Sequence, residues 1–89
     1  MQQYKIEKFK IASGNVIKYI RENYSKNTSI NQLAREYDID RGNLSKIERG
    51  INCCNLITAW KISEASGIKF SKFAELLEKE LGEDFEFFD

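Results

Sequence analysis

The chain has 89 residues, enough for one domain and near the lower size at which a hydrophobic core holds a chain folded by itself, so close helix packing and a partner subunit are expected to contribute. Hydrophobic residues make up 42%, proline is absent, and no apolar run reaches the length of a bilayer span or follows a short basic segment like a secretion signal, which predicts a soluble, cytoplasmic protein without linkers. Formal net charge is zero, and the lack of histidine, of a glycine-rich phosphate loop and of a recognisable carboxylate pair removes the usual apparatus of acid–base or nucleophilic catalysis, so no enzyme is expected.

In chain order, Ile6, Phe9, Val16, Ile17, Ile20 and Tyr24 keep helical spacing. They predict either one long first helix or an extended arm running into it at Ser13-Gly14, where an interior glycine costs about 1 kcal/mol relative to alanine. Ser25-Lys26-Asn27-Thr28 has no periodicity and reads as a loop. Ile30, Leu33, Ala34 and Tyr37 then recur at i, i+3, i+4 and i+7, and Ser29 with Gln32 matches a capping box that starts a second helix. Asp38-Ile39-Asp40 supplies a turn, with the Asp40 carboxylate placed to cap a third helix from Arg41. That helix keeps Leu44 and Ile47 for burial, turns Arg41, Gly42, Asn43, Ser45, Lys46 and Arg49 outward, and stops at Gly50.

After a polar loop from Ile51 to Asn55, a fourth helix carries Leu56, Ile57, Ala59, Trp60, Ile62 and Ala65, with Thr58, Lys61 and Glu64 on a narrower wet side. This pattern predicts a central position, with Trp60 burying roughly 200 Å² as the largest packing element. Gly67 closes it, and Phe70, Phe73, Leu76, Leu77 and Leu81 mark a fifth helix ending at Gly82. The tail places Phe85, Phe87 and Phe88 among four acids, and these rings are expected to be covered, either by packing across the first helix or by a second subunit. Being acidic, the tail is not a membrane anchor.

Charge is unevenly divided: residues 1–50 hold ten Lys and Arg against six acids (+4), and residues 51–89 hold four against eight (−4). One end can face phosphates while the other avoids them. The third helix lies in the basic half, and its exposed Arg, Asn and Lys suit the base edges of a major groove about 12 Å wide. A helix, a tight turn and a second, outward-polar helix form the helix-turn-helix arrangement.

On Gln32-Leu33-Ala34 and on Leu44-Ser45-Lys46-Ile47-Glu48-Arg49-Gly50, the last close to the pattern S-x-I-E-x-G, the sequence resembles the Xre-like (Cro and phage-repressor type) helix-turn-helix domains from about Ile17 to Ala74. It departs from them at Asp38, where glycine is frequent, at Ile30, where a phosphate-contacting glutamine is frequent, and at Cys54, where proline is common. Asp tolerates the left-handed conformation that a glycine there implies. The resemblance implies an all-α, five-helix, lambda-repressor-like DNA-binding domain with an extended N-terminal helix or arm and a Phe-rich tail. Residues 1–89 are expected to form one unit, with the helix-turn-helix at 29–50 and a C-terminal extension at 75–89.

The function expected is a sequence-specific transcriptional regulator, a repressor acting as a homodimer on two-fold double-stranded DNA. Arg41, Gly42, Asn43 and Lys46 are the expected base readers, and Ser29, Asn31, Gln32, Arg49, Asn52 and Asn55 the expected phosphate contacts. Glu48 would repel phosphate if exposed and is expected to point inward; the resemblance implies that it pairs with Arg21. Phe85, Phe87 and Phe88 with the fifth helix are the expected dimerisation surface, and Cys53 to Ile57 the next candidate. Cys53-Cys54 fall short of a zinc site and are expected to be bystanders, so no metal or cofactor is implied. The alternative is a protein-interaction module, such as an antitoxin or co-activator, that binds a partner through its tail while DNA contact is secondary.

Overall fold

Gly14 lies inside an unbroken helix. In the computed structural model, which describes residues 2–25 and 29–88, α1 runs over Gln2–Asn23, followed by α2 (Ile30–Glu36), α3 (Arg41–Glu48), α4 (Leu56–Ala65) and α5 (Phe70–Leu81). The loop residues Lys26, Asn27 and Thr28 and the last residue of the C-terminal extension, Asp89, fall outside the described residues. Ala12, Ser13 and Gly14 form a small-residue patch on α1 that is buried, and a Cβ on Gly14 would stand 2.2 Å from the carbonyl oxygen of Ile47. The glycine therefore admits the C-terminal end of α3 against the α1 backbone, and that packing offsets its poor helix propensity.

Beyond Gly14, Val16, Ile17 and Ile20 enter the core with Leu33, Ala34, Ile39, Leu44, Ile47, Ala59, Ile62 and Phe73. α1 packs against α3, α4 and α5, α2 against α3, and α4 against α5. Ile6 and Tyr24, which share the helical spacing of the buried residues, are instead exposed, because the neighbouring helices cover only the Ala12–Ile20 stretch of that stripe. Tyr24 packs edge-on against Tyr19.

The caps follow the side-chain chemistry. Ser29 Oγ accepts from the Gln32 amide at 3.4 Å, one arm of the capping box, and the Gln32 side chain donates from Nε2 to Glu36 at 3.5 Å. Asp40 Oδ2 accepts from the Asn43 amide at 2.7 Å and starts α3. Asp38 has φ 52°, the left-handed geometry expected of it. At the end of α3, Gly50 N donates to Ile47 O at 3.0 Å and Ile51 N to Lys46 O at 2.9 Å, the paired bonds of a Schellman motif with Gly50 at φ 78°. A Cβ at Gly50 would lie 2.9 Å from Ile11 Cγ1, so this position is closed by space as well as by backbone.

Trp60 is not a core residue. α4 turns Thr58, Ala59, Ile62 and Ser63 inward and leaves Leu56, Ile57 and Trp60 in solvent. The buried face is the one with the smaller side chains, which lets α4 lie close to α1 and α5; Ser63 satisfies its hydroxyl on Ala59 O at 2.9 Å. Trp60 stacks on Phe70 with centroids 5.5 Å apart, and Phe70 stacks on the buried Phe73.

The tail turns back across α1. Phe9 meets Phe85 at 6.1 Å and Phe87 at 5.5 Å, and Lys8 Nζ lies 5.6 Å from the Phe85 ring centroid. Asn15 Nδ2 donates to Glu80 at 3.2 Å and ties α5 to the same helix.

Candidate nucleic-acid interface

α3 is anchored by Leu44 and Ile47, both fully buried, so its remaining positions are set by helical geometry. Gly42, Asn43 and Lys46, at i, i+1 and i+4, share one face; Arg41, Gly42 and Lys46 are exposed and Asn43 is half-buried. A Cβ on Gly42 would meet nothing closer than Asp40 Oδ2 at 3.5 Å. No contact among the described residues therefore calls for glycine there, and its absence of a side chain flattens the outward surface of the helix.

The expected site residues are knitted together by hydrogen bonds. Arg41 Nε donates to Asn31 Oδ1, clasping the first residues of α3 to the start of α2. With Nε held, the terminal amino groups of Arg41 supply the fork that a guanine edge or a phosphate accepts. Asn52 Nδ2 donates to Asn43 Oδ1 at 2.8 Å, so Asn52, expected only as a phosphate contact, also orients a base-reading candidate. The sequence carries no local signal for this bond across nine residues; it depends on the turn made at Gly50. Asn55 caps α4 by accepting from the Thr58 amide at 2.8 Å, leaving its amide NH2 as the donor group, and Arg49 Nε donates to Ser45 O at 3.4 Å. Ser29, Asn31 and Arg49 are exposed and Gln32 half-buried.

Two contacts fix α2 and α3 on the scaffold. Arg21 and Glu48 meet in a two-bond fork, Nε to Oε2 at 2.7 Å and Nη2 to Oε1 at 2.9 Å, with side chains only 12% and 7% exposed. The hydrogen bond to Glu48 holds the Arg21 pKa above its ordinary value, against the opposing pull of burial, with the charges of Glu48 and Glu22 adding to it. Glu48 is thereby withdrawn from the outward, polar side of α3. Lys61, which periodicity places on a wet side, donates from Nζ to the carbonyl oxygen of Asp38 at 2.9 Å and braces the turn between α2 and α3.

The thiols in the following loop differ. Cys53 is exposed; Cys54 is half-buried against the core, and burial, followed by the neighbouring Cys53, pushes its pKa up to about 11. A thiol so shifted is a poor nucleophile at neutral pH. Of the rings assigned to dimerisation, Phe85 and Phe87 pack on Phe9, while Phe88 is 73% exposed. Among the described residues no helix is long and apolar enough to cross a membrane.

Five helices among the described residues, with an outward-polar α3 set by a short turn against α2 and locked from behind, define a helix-turn-helix domain of the DNA-binding regulatory kind. A family model described as helix-turn-helix matches residues 17–73, which span α1 from its buried half to the buried Phe73 of α5. The chain belongs to this family, the Xre-like or lambda-repressor type. Comparison with curated proteins and with solved structures gives no match.

Proposed function

We propose that this chain is a sequence-specific transcriptional regulator, a repressor that binds a two-fold operator as a homodimer with one α3 in the major groove of each half-site. The observation that carries this reading is the division of α3 into a buried anchor, Leu44 and Ile47, and an outward set of Arg41, Gly42, Asn43 and Lys46. Arg41 and Lys46 are suited to guanine O6 and N7, and Asn43, held by Asn52, to adenine N6 and N7. Gly42 allows the duplex close to the helix backbone. Ser29, Asn31, Gln32, Arg49, Asn52 and Asn55 supply donors toward phosphates and so set register without reading sequence.

The reading as a protein-interaction module finds less support. Its main feature, the acidic Phe-bearing tail, uses Phe85 and Phe87 within the chain.

The test is binding to a selected DNA sequence and to random duplex side by side. Arg41→Ala and Lys46→Ala should each cost about 1–3 kcal/mol on the selected site and far less on random DNA. Arg49→Ala should weaken both and reduce the slope of log affinity against log salt by about 0.9. Equal losses on both DNAs for Arg41→Ala and Lys46→Ala would defeat the assignment of these residues to base reading.

A further inference from the structure

α4 opens with an apolar face that none of the described residues covers. Leu56, Ile57 and Trp60 are 75%, 68% and 58% exposed, and as i, i+1 and i+4 they form one continuous strip; Ile51, at 52%, lies in the loop that leads to it. These four side chains together expose roughly 500 Å² per chain, toward the upper end of the largest apolar patch on a soluble monomer, a patch that is often functional. We propose that this face is the self-association surface of the protein, occupied by the same face of a second copy across a two-fold axis. The proposal rests on the homodimeric reading above and names the surface that makes the dimer.

Three observations select a second copy. Area comes first: a symmetric pair buries the patch twice, on the order of 1,000 Å² in total, which reaches the threshold of a specific interface. Charge comes second. Among the ten residues of α4 only Lys61 and Glu64 are charged, and Lys61 is already engaged with Asp38 O, so a two-fold axis near Ile57 brings apolar side chains together without like charges. The competing surface, α5 with the tail, carries Glu75, Glu78, Glu80, Glu83, Asp84 and Glu86 against Lys72 and Lys79, and a two-fold axis there sets acids against acids.

Position comes third. Leu56 follows Gly50, the end of the reading helix, by six residues, a reach of no more than about 20 Å. Pairing two copies at α4 therefore keeps the two α3 helices within reach of the ~34 Å separation of successive half-sites on one face of DNA. The patch is also rigid: the Trp60 ring lies on Phe70, which lies on buried Phe73, so little side-chain freedom remains to be lost on association.

Trp60 is the chain's one tryptophan and serves as its own reporter. The experiment is sedimentation equilibrium of the free, full-length chain from micromolar to millimolar concentration, with Trp60 fluorescence followed over the same range. No DNA is present, so the outcome is independent of base reading. The proposal expects a monomer–dimer equilibrium with emission moving to shorter wavelength along the same isotherm. It expects a Leu56→Glu, Ile57→Glu variant that stays monomeric, keeps the emission of the dilute wild type and melts no lower than it. Should that variant fail to fold, Leu56→Gln alone, at the most exposed of the three positions, must weaken the dimer at least tenfold. A wild type that is monomeric throughout overturns the proposal and leaves the face to a different partner protein. A dimer that forms without moving Trp60 emission, or that survives Leu56→Gln or the double substitution unchanged, also overturns it. In either event a palindromic selected DNA site would keep the regulator reading intact and move the dimer contact elsewhere.

Discussion

The Arg21–Glu48 fork ties the end of α3 to α1, and its removal has a calculable signature. The two side chains are nearly dry and joined by bonds of 2.7 and 2.9 Å, so removing either partner strands a charge with little water to compensate it. Breaking a fully buried pair costs about 3–5 kcal/mol; with the residual exposure of Arg21 the lower end applies, about 3 kcal/mol for Glu48→Ala or Arg21→Ala. A chain of this length has a total stability of roughly 4–13 kcal/mol, so each single variant loses a large share of it. The double variant removes both charges and should cost about as much as one single, giving a coupling of about 2–3 kcal/mol in a double-mutant cycle. Urea denaturation at neutral pH measures all four proteins. The pKa of Arg21 is raised in the folded state, so its contribution is complete below the ordinary guanidinium value and is lost only as pH climbs through the raised one. No loss from Arg21 titration should therefore appear between neutral pH and pH 10. Additive single and double costs would refute the shared pair.

Gly14→Ala should destabilise the fold by about 1–3 kcal/mol despite alanine's better helix propensity, because its Cβ would press on Ile47 O; a raised melting temperature would contradict the close α1–α3 approach. Trp60→Ala should cost about 1 kcal/mol in a dilute, monomeric sample, against about 3–5 kcal/mol for Phe73→Ala, and the two denaturation midpoints distinguish the exposed from the buried ring. At pH 8 a thiol reagent should modify Cys53 in the native chain and reach Cys54 only on unfolding; with the Cys54 pKa raised from 9.0 to about 11 in the folded state, stability should fall as pH rises through that interval and should hold in the Cys54→Ala variant.

The helix-turn-helix was legible because each of its features is local. Leu44 and Ile47 are the two apolar residues of a polar helix, Asp40 caps it three residues before Asn43, and Gly50 ends it, so propensity, pattern and capping agree. In α4 periodicity points the wrong way, because its apolar residues go nearly all the way round and the narrow polar side that it marks includes Thr58, which is buried, while Leu56, Ile57 and Trp60 stay in solvent. The telling signal was the row of small residues, Thr58, Ala59, Ser63 and Ser66, which marks a helix that must approach its neighbours closely. Gly14 reads as a weak point until the end of α3 is placed beside it. The tail divided two ways on paper because Phe9, the ring that receives Phe85 and Phe87, lies far away in sequence and only the turn at Gly82 brings it near. Asn52 and Lys61 owe their roles to side-chain bonds across turns, which no period reports.

The most direct test of the account is selection of bound duplexes from a random pool by the full-length chain, followed by sequencing. Two copies with one α3 in each half-site predict an inverted repeat whose half-sites have centres one helical turn apart, about 10 base pairs, and which is no longer selected when Arg41 and Lys46 are both alanine. A pool that shows no enriched sequence, or an enriched sequence that the doubly substituted chain selects equally well, would contradict base reading by α3.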